Sequence, residues 1–544
     1  NTVYILTGDG DGGDTQSIGV MKSTDGGSTW SATGLSWDVT NFNRGYKLMM
    51  HPTNSSIMFA VTTVGILKTT DGWASWTNVQ SGSFRDVEFK PGNTSILYAS
   101  TTNTFYRSTN SGSSFSIISS GLPTGENRSE LGVSPANSNY VYYLSGPAGS
   151  NSYKGLYRST DSGLTFSAMS TTPNILGYST SGNGSSSQSW YDLAIAVNPT
   201  NASNTITGGV NLWRSTNGGA TNSCITNWSE PSGSYEYVHA DIHELVYNSV
   251  DNKLYCGSDG GISVSSDNGV NWTNIWDGLQ IMQFYKIAGV ENNQNLLVGG
   301  AQDNGSNKYT GTTNIQHIYG ADGMDCMIDY NNNNNLYYST QSGGLRRSTN
   351  GGSTGTNIKP SGSSGAWVTP YAMDATNPSI IYGGYSDVYR STNMGSTWTN
   401  LGSDGRGALA VGINDSARLY AAQGKNIQTS ANTGNTWSTI TGPWPNLTIT
   451  SIATDPLNAN RLWITLGGYT SGQKVYESTN AGTSWTNVSG SLPNSPALSI
   501  AYENTGGSPA DAIYIGMAVG VYYKSDVTSW TLFNTGLPNV PNYD

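Results

Sequence analysis

The stretch Lys22-Ser23-Thr24-Asp25-Gly26-Gly27-Ser28-Thr29-Trp30 decides the fold of this 544-residue chain, because versions of it recur almost to the C-terminus. Its Asp-Gly-Gly step lies between two strand-like runs and is typical of a tight hairpin turn. Glycine accepts positive φ there, and the aspartate accepts backbone hydrogen bonds. The preceding serine can do the same, and the tryptophan offers an apolar face for packing between sheets. We call this stretch and its relatives the cassette, and we interpret it as scaffold.

The cassettes divide the chain into units of roughly 40–50 residues, each with four predicted strands, except that the first unit lacks its opening strand. The seventh unit has no cassette; Gln302-Asp303-Asn304-Gly305 occupies its third-strand region, and the last copy, Ser525 to Trp530, is eroded. The turn position is held in the other units by Asp25, Asp71, Asn110, Asp161, Asn217, Asp267, Asn350, Asn393, Asn432 and Asn480. The residue changes from mostly aspartate in the first units to asparagine in the later ones. Because asparagine keeps the acceptor oxygen, this Asp-to-Asn drift favours a turn-forming role over a charge-dependent one.

Repeats of this length with four strands each predict an all-β chain of β-propeller blades with cassette turns. Seven units precede about Ile318 and five follow it. A single ring of twelve blades would be unusually large, so we expect two packed propellers, over residues 1–318 and 319–544. The five blades of the second ring predict that the molecule continues past Asp544.

Composition limits the classes of partner and location. Charged residues are 11% of the chain, glycines number 68 and the net charge is −11, which disfavours nucleic acid and anionic membrane surfaces. No apolar run is long enough for a transmembrane helix, and no signal peptide opens the chain, so we expect a processed, secreted or cell-surface protein without membrane insertion. Its expected partners are extracellular glycans or proteins. The oligomeric state is left open.

The three cysteines are too few for a disulfide scaffold. Cys224 and Cys256 lie in neighbouring units, and their pairing is one alternative that the sequence leaves open. Cys326, in a Met-Asp-Cys-Met run, is expected to be a buried thiol.

The segment His239-Ala240-Asp241-Ile242-His243 is the first candidate site, because the chain has only four histidines. In a strand, period-two spacing would put His239, Asp241 and His243 on one face. These residue types could bind a ligand or hold a transition metal. The alternative is an inner strand whose polar face lines a propeller channel.

The segment Asp9-Gly10-Asp11-Gly12-Gly13-Asp14 is the second candidate. Carboxylates on a flexible glycine-rich loop suit Ca²⁺, so Asp9, Asp11 and Asp14 are candidate calcium ligands. No glutamate follows to supply the bidentate ligand of an EF-hand loop. The alternative is an interstrand loop held by Asx-turns.

Acids and aromatics near the starts of the fifth to eighth units form the third candidate. Two facing carboxylates beside aromatic platforms are what glycoside hydrolysis requires. The catalytic candidates are Asp192, Asp303, Asp322 and Asp325, and the ligand-binding candidates are Trp190, Tyr191, Tyr285 and Gln302. The alternative is that these residues serve packing and turns.

The cassettes resemble the Asp-box (BNR) repeats of sialidases, sortilin-type receptors and two-propeller xyloglucanases. A closer resemblance is to large secreted Bacteroidota proteins exported by the type IX system, often classified only as Vps10/sortilin-like or BNR-repeat proteins. That likeness is carried by Thr7 to Thr15, Trp190 to Leu193, Val238 to His243, Gln283 to Tyr285, Gly300 to Gly305 and Gly323-Met324. It implies a propeller fold and an extracellular location. Export by that route is implied only by analogy, because the sorting domain of these relatives is not recognisable here.

Three functional hypotheses follow. The leading one is a secreted or cell-surface binding or adhesion module for glycans or proteins, because no catalytic set is resolved. The second is a glycoside hydrolase acting on an extracellular polysaccharide through paired carboxylates. The sequence carries neither the arginine set and Arg-Ile-Pro motif of sialidases nor the catalytic-Asp contexts of xyloglucanases. The third is a structural subunit of a surface assembly.

Overall fold

The structure is a computed structural model that describes residues 1–13, 15–147, 152–229, 235–279, 281–503 and 511–537. Within these ranges it contains twelve antiparallel sheets, eleven of four strands and a first one of three. Strands within each sheet are neighbours in sequence order. Two short 3₁₀ turns, Val39–Asn41 and Gln341–Gly343, complete the regular structure. The chain is therefore an all-β protein of propeller blades, which confirms the fold predicted from the cassette.

The chain divides into two compact units, and the first, Asn1–Ile281, contains six sheets. Its strands are β1 (Val3–Leu6), β2 (Gly19–Ser23), β3 (Ser31–Ser36); β4 (Gly45–Met50), β5 (Met58–Thr62), β6 (Gly65–Thr69), β7 (Thr77–Ser81); β8 (Phe84–Phe89), β9 (Leu97–Thr101), β10 (Phe105–Ser108), β11 (Ser116–Ile118); β12 (Glu126–Val133), β13 (Val141–Pro147), β14 (Gly155–Ser159), β15 (Ser167–Ser170); β16 (Ala194–Val197), β17 (Thr205–Gly208), β18 (Leu212–Ser215), β19 (Ser223–Cys224); β20 (Ile242–Tyr247), β21 (Leu254–Ser258), β22 (Gly261–Ser265) and β23 (Thr273–Asn274).

The second unit, Met282–Asp544, contains the other six sheets. Its strands are β24 (Phe284–Gly289), β25 (Leu297–Ala301), β26 (Gly305–Tyr309), β27 (Gln316–Tyr319); β28 (Cys326–Ile328), β29 (Leu336–Thr340), β30 (Gly344–Ser348), β31 (Thr356–Asn357); β32 (Tyr371–Met373), β33 (Ile381–Gly384), β34 (Val388–Ser391), β35 (Thr399–Asn400); β36 (Ala408–Gly412), β37 (Asp415–Gln423), β38 (Asn426–Ser430), β39 (Ser438–Ile440); β40 (Ile449–Thr454), β41 (Leu462–Leu466), β42 (Val475–Ser478), β43 (Thr486–Asn487); β44 (Ala497–Glu503), β45 (Ala512–Met517), β46 (Val521–Lys524) and β47 (Thr531–Leu532).

The core consists of apolar layers between consecutive sheets. Each cluster of buried apolar side chains in the described residues joins one sheet to the next sheet of the same unit. The cluster of Leu296 and Val298 with Cys326 and Ile328, for example, packs the seventh sheet on the eighth. Burying a sheet face only against its neighbours is how propeller blades are stabilised.

The observed division falls after Ile281, whereas the sequence prediction placed the boundary after Ile318. The difference is the seventh sheet, β24–β27, whose core is shared with the eighth sheet. The prediction counted this sheet with the first unit because, without a cassette, nothing local indicates which neighbour it packs on. The number of blades in each closed ring stays a prediction.

The cassette is a turn closed by its own side chains. The Ser23 hydroxyl donates to the Asp25 carboxylate (2.7 Å) and accepts from the Gly27 N–H (2.8 Å), and the Thr29 N–H donates to the same carboxylate (2.9 Å). In the asparagine copies the Oδ1 of Asn350 likewise accepts from the serine two residues before it and from the N–H of Thr354. Both residue types therefore make the same turn, as the drift predicts.

Two of the cassette tryptophans are less buried than the sequence suggests. Trp30 is 39% exposed, and Trp76 is similar. The Trp76 indole N–H donates to the carbonyl of Gly34, 3.1 Å away in the preceding sheet, and Trp398 reaches the Ile358 carbonyl in the same way at 2.7 Å. Trp272, in contrast, is buried in the apolar layer between two sheets, as predicted.

Several inner strands have a β-bulge after their first residue pair. In β4, β8, β20 and β24 the pairing register skips one residue near the start of the strand. The skipped residues are Tyr46, Arg85, His243 and Tyr285. A bulge leaves its extra residue unpaired and changes the direction of its side chain. The bulges thus place large polar side chains at equivalent positions of several blades.

Two further findings concern the cysteines and the helices. Cys224, Cys256 and Cys326 are all free thiols, so the Cys224–Cys256 pairing is not formed, and Cys326 is buried as expected. No helix of the described ranges is long and apolar enough to cross a membrane.

Candidate functional site

The candidate site lies in the first unit, where loops and inner strands of several sheets meet. Asp11 lies in the loop after β1, Arg128 on β12, Tyr191 before β16, His243 at the β20 bulge and Asp259 in the turn between β21 and β22. Their side chains form one connected set, which we call the His243 network. It joins the first, fourth, fifth and sixth sheets of the unit.

The His243 imidazole bridges two carboxylates. Its Nδ1 lies 3.1 Å from Asp11 Oδ2, and its Nε2 lies 2.7 Å from Asp259 Oδ1. Burial opposes the charge of the ring, but the hydrogen bonds and charges of Asp11 and Asp259 outweigh it and raise the pKa of His243 to about 10. The ring is therefore an imidazolium at neutral pH and donates through both nitrogens.

Arg128 fixes the segment that precedes β16. Its guanidinium is buried, and Nη1 lies 2.9 Å from Asp11 Oδ1. The same nitrogen donates to the backbone carbonyls of Trp190 and Tyr191. Although burial opposes ionisation of Asp11, the His243 hydrogen bond and the Arg128 charge hold the pKa of that carboxyl below its ordinary value.

Two aromatic side chains cover the network. The Tyr191 hydroxyl donates to Asp259 Oδ2 (3.0 Å), and its ring meets the His243 ring edge-on with centroids 4.7 Å apart. The Trp190 ring lies beside the Tyr191 ring, with centroids 5.5 Å apart, and the Trp190 side chain is 46% exposed. The result is an exposed indole on a backbone held by a buried arginine.

Asp192 and Asp241 form a buried acid pair beside the network. Asp192 is fully buried, and no group of the described residues donates to either of its carboxylate oxygens. Burial and the neighbouring charge of Asp241 raise the pKa of Asp192 well above its ordinary value. Burial and Asp259 raise the pKa of Asp241 to about 6, and the Gln188 amide donates to Asp241 Oδ1 (2.7 Å). Such a pair can share a proton or hold a cation.

The strand-face argument for His239, Asp241 and His243 is wrong. β20 begins only at Ile242, and Asp241 has a left-handed backbone with φ of 62°. The Asp241 carboxylate therefore accepts from the Gln188 amide, whereas the His243 ring bridges Asp11 and Asp259. The His239 Nδ1 lies 3.3 Å from the Ala240 carbonyl. The three side chains do not form one metal-ligand set.

The described acids of the first loop do not fit the calcium prediction. The Asp9 carboxylate accepts from the N–H groups of Asp11, Gly12 and Gly13 at 2.9, 3.0 and 2.6 Å, which is an Asx-type loop closure. Asp11 is bound by Arg128 and His243. Because N–H donors and cations already occupy these oxygens, they do not form a calcium cage. Asp14, the third predicted ligand, lies outside the described residues.

The predicted site residues Gln302, Asp303 and Asp322 of the second unit make hydrogen bonds within turns and loops. Asp322 Oδ1 accepts from the backbone N–H of Asp303 (2.9 Å), and its Oδ2 accepts from the Gln341 amide. The backbone N–H of Gln302 donates to the Gln283 carbonyl at 2.9 Å. The Asp322 carboxylate therefore binds the turn of Asp303 and the turn of Gln341.

Asp325 links two blades. Its carboxylate accepts from the backbone N–H groups of Cys326 and Tyr371, both at 2.8 Å, and Tyr371 begins the next inner strand. Asp86 does the same in the first unit, accepting from Val87 and from Leu131 in the next blade. This repetition indicates that Asp325 is structural.

Tyr285 lies at the β24 bulge and accepts a hydrogen bond from the Trp367 indole N–H at 3.1 Å. Trp367 is 55% exposed. The two side chains form a second aromatic surface, within the second unit, and the sequence prediction found only its tyrosine.

The sequence prediction missed a lysine surrounded by acids on the inner strands of the first unit. Lys47 Nζ lies 2.6 Å from both Asp86 Oδ1 and Glu88 Oε1, and Glu130 and Glu244 line the same cavity of about 590 Å³. Burial lowers the pKa of Lys47, but the surrounding acids outweigh this and raise it. The available signal was the set of charged residues on the predicted inner strands of a chain in which only 11% of residues are charged.

Comparisons with known proteins indicate the fold. No family model matches the chain, and no curated protein matches it. Solved structures similar to it include a GH74 enzyme of Niastella koreensis (21% identity, TM-score 0.62, covering 98% of this chain and 83% of that one) and a GH74 xyloglucanase of Xanthomonas campestris (16%, 0.67, 98% and 84%). PorZ, a surface component of the type-IX secretion system of Porphyromonas gingivalis, is 12% identical with a TM-score of 0.47, and the match covers 90% of this chain and 69% of that one. The two GH74 structures support a shared fold.

Proposed function

We propose that the chain is an extracellular glycan-binding β-propeller protein, and that Trp190 is the main sugar-contacting side chain of the first unit. The observation that carries this proposal is an indole 46% exposed on a segment whose carbonyls are held by the buried Arg128. A preformed aromatic face loses little conformational entropy when a ligand stacks on it. Tyr191, Asp241, His239 and His243 are the polar and aromatic groups proposed around it.

The geometry supports binding over hydrolysis. Glycosidases separate their two carboxyl groups by roughly 5–10 Å so that a sugar or a water fits between them. Asp192 is fully buried beside Asp241, which is itself 9% exposed, so neither carboxyl has a sugar-sized space in front of it. The carboxylates of Asp322 and Asp325 are bound to backbone N–H groups. A second platform is proposed for the second unit. It consists of Tyr285 and Trp367, with Gln302 held near Tyr285 by its backbone hydrogen bond to the Gln283 carbonyl.

The location and the family follow from the sequence resemblance. We propose that the cassettes are Asp-box repeats and that the chain is a secreted or cell-surface protein of the Bacteroidota type IX cargo kind. The turn chemistry of Ser23, Asp25 and Gly27 supports the first part. A protein ligand and a role as a structural subunit are the rival interpretations.

A glycoside hydrolase is the second candidate function. The observation that favours it is the raised pKa of Asp192 beside Asp241, whose pKa is about 6, because a carboxyl that keeps its proton near neutral pH can act as a general acid. In this candidate Asp192 would be the acid, and Asp303, Asp322 or Asp325 would have to act from other positions.

The test is affinity electrophoresis of the whole chain through gels that contain xyloglucan, a β-glucan or an acidic polysaccharide. We expect at least one polysaccharide to retard the wild type, and Trp190→Ala to weaken the retardation about ten-fold or more, as for truncation of a binding hot spot. The matched control is Trp30→Ala, which removes an indole of similar exposure from a cassette and should bind like the wild type.

The same samples distinguish the rivals. A wild type that no polysaccharide retards, or a Trp190→Ala variant that binds like the wild type, would overturn the proposal. Release of reducing ends that is lost in Asp192→Asn would establish the hydrolase instead. Filaments or rings in electron micrographs would favour the structural subunit.

A further inference from the structure

We propose that Asp192 and Asp241 hold a divalent cation of the calcium class in the first unit. Asp192 is fully buried, and in the described ranges neither of its carboxylate oxygens receives a hydrogen bond from an N–H or O–H donor. The neighbouring charge that acts on this carboxyl is that of another acid, Asp241, itself 9% exposed. A buried carboxylate without a donor is costly unless a proton or a cation compensates its charge.

The pair lies beside further acids and has no basic partner of its own among the described residues. Asp259 acts on Asp241, and Asp11 and Asp259 both contact His243. The Arg128 guanidinium is bound to Asp11, and Arg85 is directed to the Gly10 carbonyl and the Tyr46 ring. No cationic side chain of the described residues hydrogen-bonds to Asp192, so its charge is left for a bound cation or a proton to compensate.

The available ligand atoms are oxygens. Asp192 offers both carboxylate oxygens and Asp241 its Oδ2, because Gln188 occupies Oδ1. Rotation of the Gln188 amide would place its carbonyl oxygen, in place of its NH₂ group, beside the Asp241 carboxylate. Oxygen ligands completed by water suit Ca²⁺, which tolerates irregular coordination, better than Mg²⁺ or zinc.

This site differs from the glycine-rich loop at Asp9. The Asp9 oxygens accept from three backbone N–H groups, so that carboxylate is already satisfied. Asp192 receives no such donors from the described residues. The two places can therefore be told apart by single substitutions. The cation site stands on its own and does not depend on glycan binding.

A bound cation would join two segments. Asp192 follows the Trp190–Tyr191 step, and Asp241 lies in the left-handed turn before β20. A ligand that binds the folded state but not the unfolded state raises stability in proportion to the logarithm of its concentration. Calcium should therefore raise the Tm of the whole chain in the absence of any polysaccharide.

The experiment uses the full chain after treatment with EDTA and removal of the chelator. Isothermal titration with CaCl₂ should show a site that is at least ten-fold weaker in Asp192→Asn and Asp241→Asn, and CaCl₂ should raise the wild-type Tm by several degrees. MgCl₂ should produce a smaller shift. The control Asp25→Asn removes an equal charge from a cassette where asparagine occurs naturally, and it should behave like the wild type.

Asp192→Asn is suited to this test because its amide can donate to Asp241 and thus replace a shared proton. If the pair only shares a proton, the wild type shows no calcium-dependent heat or Tm shift, and the proposal fails. If the shift survives in Asp192→Asn but is lost in Asp9→Asn, calcium binds the loop, and the proposal also fails. Terbium luminescence of the wild type, excited through nearby tryptophan and displaced by Ca²⁺, gives a reading that needs no variant.

Discussion

At the residue scale, the His243 imidazole is the side chain that connects the network. It occupies the bulge of β20 and reaches carboxylates on the first and sixth sheets. Removing it would leave Asp11 with Arg128 alone and Asp259 with the Tyr191 hydroxyl. Breaking a partly buried charge bridge is costly because the remaining charges lose their compensation.

We expect stability to fall as pH rises from about 6.5 to about 10. Burial opposes the imidazolium, but Asp11 and Asp259 raise the folded pKa of His243 to about 10, so the folded state binds the proton more tightly than the unfolded state. The stabilisation is complete below pH 6.5 and is lost as pH approaches 10, a loss on the order of a few kcal/mol.

Urea unfolding across this pH range measures the effect. The stability difference between the wild type and His243→Gln should be largest near pH 6.5 and shrink toward pH 10. His317→Gln, which changes an exposed histidine, is the control. A difference that is constant with pH would contradict the charged bridge.

The sequence was sufficient to select several residues of the site but not their contacts. Trp190, Tyr191, Asp192, Asp241 and His243 were chosen from local pattern, and all five lie in or beside the His243 network. Their partners could not be predicted, because a bulge and a left-handed residue before β20 change the side-chain directions that regular alternation would give. Arg128 and Asp259 carry no local motif, and Gln188 is close to Trp190 in sequence but pairs with Asp241, which is 53 residues away.

At the element scale, the cassette shows that a repeated motif can be entirely structural. The serine hydroxyl links the acceptor side chain to the glycine N–H, and these contacts are the same in aspartate and asparagine copies. The sequence predicted the strands and turns of these elements well, because each contact is local. It overestimated the burial of Trp30 and Trp76, which depends on the neighbouring blade.

We expect Ser23→Ala to destabilise the first unit by about 1–3 kcal/mol, because the buried hydroxyl both donates to Asp25 and accepts from Gly27. Asp25→Asn should have a much smaller effect, since asparagine makes the same turn elsewhere in the chain. Thermal unfolding of both variants measures this. Equal destabilisation by the two substitutions would mean that the carboxylate charge matters and that the turn account is wrong.

At the scale of the whole molecule, each unit has its own apolar clusters. Each cluster of buried apolar residues in the described ranges joins sheets of one unit, either within Asn1–Ile281 or within Met282–Asp544. The sequence could not predict this division, because the seventh sheet lacks the cassette that marks the others. Its packing partner is determined by apolar residues that look alike in every blade.

We expect a fragment of residues 1–281 to fold alone, with cooperative thermal unfolding and a near-UV spectrum of ordered aromatics. A fragment of residues 1–318 should expose Leu296 and Val298, which lose their partners on the eighth sheet, and should therefore bind more ANS. The reverse order, with 1–318 better ordered than 1–281, would contradict the observed division and support a boundary after Ile318.

Glycan binding at Trp190 can be seen directly in a crystal structure of the full chain with an oligosaccharide from the polysaccharide that retards it in the gel. We expect an intact sugar chain with one ring against the exposed face of the Trp190 indole. A cleaved product in the first unit, or an ordered sugar bound elsewhere with Trp190 uncovered, would contradict this expectation.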